Sequence, residues 1–296
     1  MVKYSKSLMM QIKIAKTAGF CMGVRRAVDM ALYIAEHKGN EKIFTYGPLI
    51  HNPQTVELLE ERGIMPIEDA GDIRTGTIII RAHGISPQES QKIREKGIRI
   101  IDATCPKVVH VQSIIKRHAS QDYTILIIGD REHPEVEGLI GHAMGRGIIV
   151  GSRSEAEALP DIEKICVVAQ TTQSMDEYNE ISEAIKKRFP HALVFNTICD
   201  STERRQAEVK KLAGEMDAIL IVGGRNSANT RRLAKISETS GKPTFHIETA
   251  DDLLKIDMNG YEKIGISAGA STPNWVIKRI VEYITESRGQ KVTTIR

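Results

Sequence analysis

Of the 296 residues, 41% are hydrophobic and 27% charged, the make-up of a globular chain with room for two or three cores. The 41 Lys and Arg against 38 Asp and Glu leave a net charge of only +3, with no block of like charge, which argues against nucleic acid or any general polyanion as a partner. No apolar run approaches the roughly 20 residues that cross a bilayer, so no membrane partner is expected either.

Residues 1–11 read as a short disordered tail: Lys3 and Lys6 are there without the apolar stretch of a signal peptide, and the Met9-Met10 pair leaves the start codon open. Beyond the tail, short Ile- and Val-rich runs alternate with helical patterns. First come helix Val24–His37, strand Lys42–Gly47, helix Pro53–Arg62, strand Thr77–Gly84, helix Pro87–Lys96 and strand Ile98–Cys105. Strands Thr124–Asp130 and Lys164–Gln170, helix Met175–Phe189 and strand Ala192–Cys199 follow. Helix Arg204–Glu215, strands Ala218–Gly224 and Lys263–Gly269, and helix Pro273–Glu286 complete the series. The alternation predicts an α/β fold with mostly parallel sheets.

Three of the four cysteines, Cys21, Cys105 and Cys199, each open a turn between an apolar run and a helix-forming segment, at intervals of 84 (105 − 21) and 94 (199 − 105) residues. They divide the chain into modules 12–104, 105–198 and 199–296, each short for an independent doubly wound domain and suited to one third of a trefoil around a shared centre. Two ordinary α/β lobes are the alternative. No Pro-, Gly- or Ser-rich linker separates the units, so close packing with modest hinge motion is expected.

Soft ligands delivered once per module suggest one metal centre with a coordination position left open. A structural zinc site would bring paired ligands at short spacing, and no such pair exists here. A three-ligand catalytic zinc stays open, but all-thiolate ligation suits an iron–sulfur cluster better. Cysteines far apart in a chain without an export signal point to reduced thiols and a cytoplasmic location. Cys166, inside the apolar run Ile-Cys-Val-Val, reads as a buried core residue.

Polar residues collect where predicted strands end: His51, His83, His133 and Glu135, Thr171 and Thr172, Ser227 and Asn229, Ser271 and Thr272. Ligands of open α/β sheets bind at that edge, and helix starts bind phosphate. Taken singly, each Ser, Thr or Asn is more simply a helix cap, and each histidine a structural residue. Their repetition favours an anion site. His37, His110, His118, His142, His191 and His246 have no distinctive setting.

These residues resemble the 4-hydroxy-3-methylbut-2-enyl diphosphate reductase family. The likeness is carried by Gly19-Phe20-Cys21-Met22-Gly23-Val24 with Arg26-Ala27, Gly47-Pro48 with His51-Asn52, Ala82-His83-Gly84, and Asp102-Ala103-Thr104-Cys105-Pro106. It continues through His133-Pro134-Glu135-Val136-Glu137-Gly138, Gln170-Thr171-Thr172, Ile198-Cys199 with Arg205-Gln206, Asn226-Ser227-Ala228-Asn229 with Arg232-Leu233, and Ala268-Gly269-Ala270-Ser271. It runs from about Ile12 to the C-terminus.

The resemblance implies three similar α/β modules in a pseudo-threefold trefoil around one [4Fe-4S] cluster held by Cys21, Cys105 and Cys199, which oxidation would reduce to a [3Fe-4S] remnant. It implies that His51, His83, His133, Ser227, Asn229 and Ser271 bind the diphosphate of an allylic substrate. Ala228, often Ser in the family, would contribute through its backbone. The implied reaction removes the allylic hydroxyl of (E)-4-hydroxy-3-methylbut-2-enyl diphosphate with two electrons and two protons. Isopentenyl and dimethylallyl diphosphates are the products of this last step of the methylerythritol phosphate route. The open iron would bind the hydroxyl, Glu135 would donate the proton, and Thr171 and Asn229 would orient the hydroxyl and relay the proton.

Val222-Gly223-Gly224-Arg225-Asn226 lacks a full dinucleotide fingerprint, so electrons are expected from outside, by the resemblance from ferredoxin or flavodoxin. Arg25 and Arg26 beside Cys21 read as a solvated helix face rather than a docking site. A monomer or weak dimer is expected. Two other functions compete: a metal-dependent phosphate-ester hydrolase with Glu135 as base, and a non-enzymatic iron–sulfur sensor.

Overall fold

The computed structural model describes residues 10–71, 73–288 and 293–295. The first elements are β1 (Gln11–Ile14), α1 (Met22–His37), β2 (Ile43–Tyr46), α2 (Pro53–Glu61), β3 (Ile64–Ile67), β4 (Thr77–Ile80), α3 (Pro87–Glu95) and β5 (Arg99–Asp102). Next come α4 (Pro106–Ala119), β6 (Thr124–Ile128), α5 (Pro134–Gly141), β7 (Gly147–Val150), α6 (Arg153–Glu157), β8 (Ile165–Ala169), α7 (Met175–Arg188) and β9 (Leu193–Val194). The chain ends with α8 (Asp200–Glu215), β10 (Ala218–Val222), α9 (Ala228–Thr239), β11 (Thr244–Ile247), a 3₁₀ turn (Ala250–Lys255), β12 (Lys263–Ala268), α10 (Asn274–Arg288) and β13 (Thr293–Ile295).

The fold is α/β, as the alternation predicts, with three parallel sheets ordered β3-β2-β4-β5, β7-β6-β8-β9 and β11-β10-β12-β1-β13. The three orders follow one scheme, with β5, β9 and β1 in the same place. In the third sheet that place is filled from the beginning of the chain: Gln11 pairs with Lys263 and Ile14 with Ile266.

This pairing bears on the sequence borders. Those at Cys105 and Cys199 fall between β5 and α4 and between β9 and α8, whereas a border at Ile12 falls inside a strand of the last sheet. The expected tail over 1–11 lies outside the described residues up to position 9. Its last two residues are structured, Met10 being buried and Gln11 in β1. Two compact units result: the chain up to Cys21 together with Glu203 onward, carrying the five-stranded sheet, and Met22–Thr202, carrying the other two.

Inner strands are apolar without alternation because helices cover both faces. All five residues of β8 and of β10 are buried. Each such Ile or Val contributes about 1.5–3 kcal/mol of burial free energy, enough to fix register, since a one-residue slip reverses every side chain. Short strands escape periodicity: β1, β3, β7 and β11 have four residues each. Pro66 in β3 is tolerated because that strand pairs only with β2.

The expected strand Ala192–Cys199 shrinks to Leu193–Val194. Thr197 explains it. Its hydroxyl accepts from Ala169 N at 2.7 Å and donates to Ala169 O at 2.6 Å, taking over the backbone's ladder positions. Asn196 Oδ1 then accepts from Ile198 N at 3.0 Å and turns the chain toward Cys199.

Candidate active site

The three sheets end alike. Each sheet's ladder runs two residues past its inner strand and stops at a cysteine amide: Cys105 N donates to Ala82 O at 2.9 Å, Cys199 N to Thr171 O at 2.9 Å, and Cys21 N to Ala270 O at 3.1 Å. Ala82, Thr171 and Ala270 each lie two residues beyond β4, β8 or β12. The three cysteines therefore occupy equivalent positions, each at the start of a helix. All three are partly accessible, whereas Cys166 is fully buried in β8 and desolvation pushes its thiol up to about 12. Lys107 of α4 pairs with Asp200 of α8 at 3.1 Å, linking the residues just after Cys105 and Cys199 within one unit.

Other candidates follow the same repeat. Five residues past β2, β6 and β10 stand His51, His133 and Ser227; three residues past β4, β8 and β12 stand His83, Thr172 and Ser271. Two residues after the first set stand Pro53, Glu135 and Asn229, so only the middle module places a carboxyl there.

In the unit Met22–Thr202 the structure brings His51, His83, His133, Glu135 and Thr171 together. Asn52 caps α2, its Oδ1 accepting from Thr55 N at 2.9 Å and Thr55 Oγ1 at 2.8 Å, which fixes the backbone beside His51. Ala82 N donates to Leu49 O at 3.2 Å, joining the His83 turn to the His51 turn. His133 caps α5, and Pro134 opens that helix with a preset φ. The rings of His51 and His83 lie 4.6 Å apart between centroids, those of His83 and His133 5.4 Å, and those of His51 and His133 5.7 Å. Among the described residues this is the one group of His, Cys, Asp or Glu atoms within metal-binding reach of one another.

The tautomer of His133 sets what this group offers. Glu135 N donates to His133 Nδ1 at 3.1 Å, so the single proton of a neutral His133 ring sits on Nε2. That nitrogen presents a hydrogen-bond donor, not a lone pair, which suits an anion and opposes a cation. Burial, then the charges of His51, His133 and Arg81, hold the His83 imidazole well below its usual range, so it stays neutral at pH 7.

A neutral, half-buried His83 makes stability pH-dependent. Its pKa in the fold is depressed, so below about 6.5 the unfolded chain takes up a proton that the native chain refuses, and stability falls as pH drops. Urea midpoints at about pH 7.5 and about pH 5.5 are expected to fall less in His83→Gln than in the parent, by at most about 1.4 kcal/mol per pH unit. Equal slopes would remove His83 from the titrating set. His142, lowered by its own burial, contributes the same sign in both proteins.

Glu135 is 1% exposed, and both its oxygens are engaged: Oε1 accepts from Thr171 N at 2.6 Å and Oε2 from Thr171 Oγ1 at 2.7 Å. Thr171 O in turn accepts from Cys199 N and from Thr202 Oγ1, the latter at 3.1 Å. One strip of hydrogen bonds thus runs from His133 through Glu135 and Thr171 to Cys199. The residue that clamps it stands in the Gln170-Thr171-Thr172 motif, where the sequence assigns it no role of its own. Gln170, fully buried, accepts from Asp130 N at 3.0 Å and donates to Thr172 Oγ1 at 3.0 Å, binding the loop after β6 to the loop after β8. A Gln directly after an apolar strand and before Thr-Thr is the signal that was available.

The other unit gathers Ser227, Ala228, Asn229 and Ser271. Ser227 caps α9, its Oγ accepting from Thr230 N at 3.3 Å, and Ala228 is the first helical residue. Asn229 is 5% exposed with Nδ2 buried and unpartnered, a donor awaiting an acceptor. Gly223 has a φ of +144°, and a Cβ there would come within 2.5 Å of Thr272 Oγ1, so only glycine lets the start of α9 and the Ser271 turn approach. Cys21 bonds to Ala270, next to Ser271.

Residues 12–285 match the LytB protein family. The chain belongs to the LytB family. Among LytB relatives, the 4-hydroxy-3-methylbut-2-enyl diphosphate reductase of Geobacter sulfurreducens is 44% identical over 95% of this chain and 99% of its own length. That of Caldanaerobacter subterraneus is 41% identical over 95% and 99%. The solved E-1-hydroxy-2-methyl-but-2-enyl-4-diphosphate reductase from Plasmodium falciparum superposes with a TM-score of 0.92 at 29% identity, covering 97% of this chain and 92% of that one. A second LytB structure, described as the terminal enzyme of the non-mevalonate pathway, is 42% identical with a TM-score of 0.68 over 94% and 100%. The α/β fold with three parallel-sheet modules is therefore that of the solved LytB enzymes.

Proposed function

We propose that this LytB protein is an oxidoreductase that converts (E)-4-hydroxy-3-methylbut-2-enyl diphosphate to isopentenyl and dimethylallyl diphosphates. The reaction takes up two electrons and two protons, breaks the allylic C–O bond and releases the oxygen as water. The observation that supports this is the pairing of family membership with the Glu135–Thr171 strip, a buried carboxyl that accepts hydrogen bonds from the Thr171 amide and hydroxyl.

LytB enzymes are iron–sulfur proteins, and the donor set of this chain fits such a group: three partly accessible thiols at equivalent helix starts. Cys21, Cys105 and Cys199 would hold one [4Fe-4S] cluster at the centre of a trefoil. Bound there, the cluster would supply single electrons and a Lewis acid at the iron without a thiolate.

The chain's own residues do the rest. His51, His83 and His133, with Ser227, Asn229, Ser271 and the amide of Ala228, offer the diphosphate N–H and O–H donors. A set of hydrogen-bonding groups binds a polyanion without an Arg or Lys clamp, in keeping with a net charge near zero. Glu135 in its acid form delivers a proton to the departing oxygen, and Thr171 Oγ1, able to donate and accept, relays it. Asn229 orients the hydroxyl. Electrons come from ferredoxin or flavodoxin, and the protein acts in the cytoplasm as a monomer or weak dimer. Among the described residues no helix is long and apolar enough to cross a membrane. The hydrolase alternative takes Glu135 as base beside a metal; the three histidines are the group within metal-binding reach among the described residues, and the hydrogen bond that His133 Nδ1 accepts counts against them as ligands.

The test is anaerobic turnover of the hydroxylated diphosphate with reduced viologen, alongside iron and sulfide assays; a colourless protein that releases phosphate without reductant would refute the proposal. His51→Ala and Ser271→Ala are each expected to weaken substrate binding by about 10- to 100-fold, the loss of one charge-assisted hydrogen bond, with the visible spectrum unchanged. Unaltered affinity in both variants, read by calorimetry, would take those residues out of the diphosphate pocket.

A further inference from the structure

Around the three cysteine loops, basic side chains are used in a repeating way. Arg26 stands on α1, the helix that follows Cys21, and its guanidinium donates to Thr104 O at 3.2 Å, immediately before Cys105. Lys107 stands on α4, after Cys105, and its ammonium pairs at 3.1 Å with Asp200, immediately after Cys199. Arg205 stands on α8, after Cys199, and binds the loop that leads into Cys21: it donates to Gly19 O at 2.7 Å and to Thr17 O, and to Ala268 O at 3.1 Å. The order is cyclic. The helix after each cysteine sends a cation to the loop of the next.

We propose that Arg26, Lys107 and Arg205 are positioning residues for Cys105, Cys199 and Cys21 respectively, holding each thiol in place before any metal is bound. The inference rests on the functional reading above in taking these thiols as ligands. A liganding thiol must sit where its partners expect it, and a loop of free main-chain carbonyls cannot guarantee that. Each cation supplies fixed donors to such a loop.

The three braces differ in strength, and the difference follows from burial. Arg205 is 3% exposed and satisfies three carbonyls with one planar group, whose donors point in fixed directions where those of an ammonium rotate on a flexible stem. Glu208, one turn further along α8, completes the grip: its carboxylate accepts from Lys16 N at 2.7 Å, Thr17 N at 2.9 Å and Thr17 Oγ1 at 2.6 Å. Gly19 adds a φ of +102° beside Asn274, a conformation that other residues enter only with strain. Arg26 makes one bond from an exposed helix face. The Lys107–Asp200 pair is half exposed on the lysine side and more so on the aspartate, and screened pairs of that kind hold weakly. Cys21 is thus the tightly held ligand, Cys105 intermediate and Cys199 the loosest.

The experiment is alkylation of the full chain, freed of iron under reducing conditions, with iodoacetamide, each cysteine followed by peptide mass spectrometry and Cys166 serving as the buried control. Arg205→Met is expected to speed alkylation of Cys21 about tenfold while Cys105 and Cys199 stay within about twofold. Arg26→Met should raise Cys105 alone, and Lys107→Met Cys199 alone, by about two- to threefold, the exposed braces giving the smaller effects; an unchanged rate in either variant would remove that residue from the set. Arg205→Lys, keeping the charge with fewer donors, should fall between parent and Arg205→Met. If Arg205→Met does not fold, Thr17→Val removes only the hydroxyl held by Glu208 and should still raise Cys21 by about twofold or more. Equal acceleration of all three cysteines, exposure of Cys166, or an unchanged Cys21 in both Arg205→Lys and Thr17→Val would overturn the proposal. Iron and sulfide in the untreated parent are measured separately, so a protein without a cluster would refute the functional reading and leave the pattern of thiol rates to stand or fall alone.

Discussion

Glu135→Gln is expected to lower turnover by about 10²–10⁴-fold, with substrate affinity and the visible spectrum close to those of the parent. The amide is nearly isosteric, and its oxygen can still accept from Thr171 N, which now lies 2.6 Å from Oε1. Its NH₂ group can donate to Thr171 Oγ1, so the strip from His133 to Cys199 stays closed. What the amide lacks is a proton to release at neutral pH. The repeat sharpens the expectation, because the equivalent positions hold Pro53 and Asn229, neither of which can act as an acid. Glu135→Asp supplies the control: it retains the proton but is a methylene short of Thr171, so its turnover should fall less than that of Glu135→Gln and recover partly as pH is lowered. Parent-like turnover in Glu135→Gln, measured anaerobically with reduced viologen, would take Glu135 out of the role.

Much of this architecture was legible because the physics behind it is local. Apolar runs such as Ile-Leu-Ile-Ile in β6 and Ile-Cys-Val-Val in β8 announce strands covered on both faces, and Pro at the first position of α2, α4 and α5 announces where helices begin. The polar residues at strand ends stood out for the same reason: nothing in a buried strand calls for His83 or Thr171. Partnership across the sequence was not legible. That β1 closes the last sheet depends on pairing with β12, about 250 residues away, and Gln11–Ile14 alone carries no mark of it. Thr197 took over the backbone bonds of Ala169 and shortened a predicted strand. Gln170 and Arg205 stand in the motifs that carry the family likeness, but no role for them can be read there, because it lies in whom they meet. Arg26, expected to face solvent, is exposed and also reaches Thr104.

The cysteines give the other large effect, and it should split in two. Cys105→Ala is expected to abolish turnover and to drop bound iron from about four atoms per chain to near none, while Cys166→Ala keeps its iron. The stability of the iron-free chains should show the reverse order. Cys105 holds its place through its backbone, the amide bonded to Ala82, and its side chain is partly exposed at the edge of the core cluster, so truncation removes the proposed ligand and less packing than at Cys166. Cys166 is fully buried among the core residues of its module, and losing its sulfur leaves a small void worth about 1 kcal/mol or more. Iron and sulfide assays set beside urea midpoints of the iron-free proteins would resolve the two axes. Retention of iron by Cys105→Ala together with its loss from Cys166→Ala would reverse the assignment. The same argument extends to Cys21 and Cys199, whose amides end the other two ladders in the same way: at all three positions the backbone is fixed by the sheet, and only the sulfur is left for chemistry.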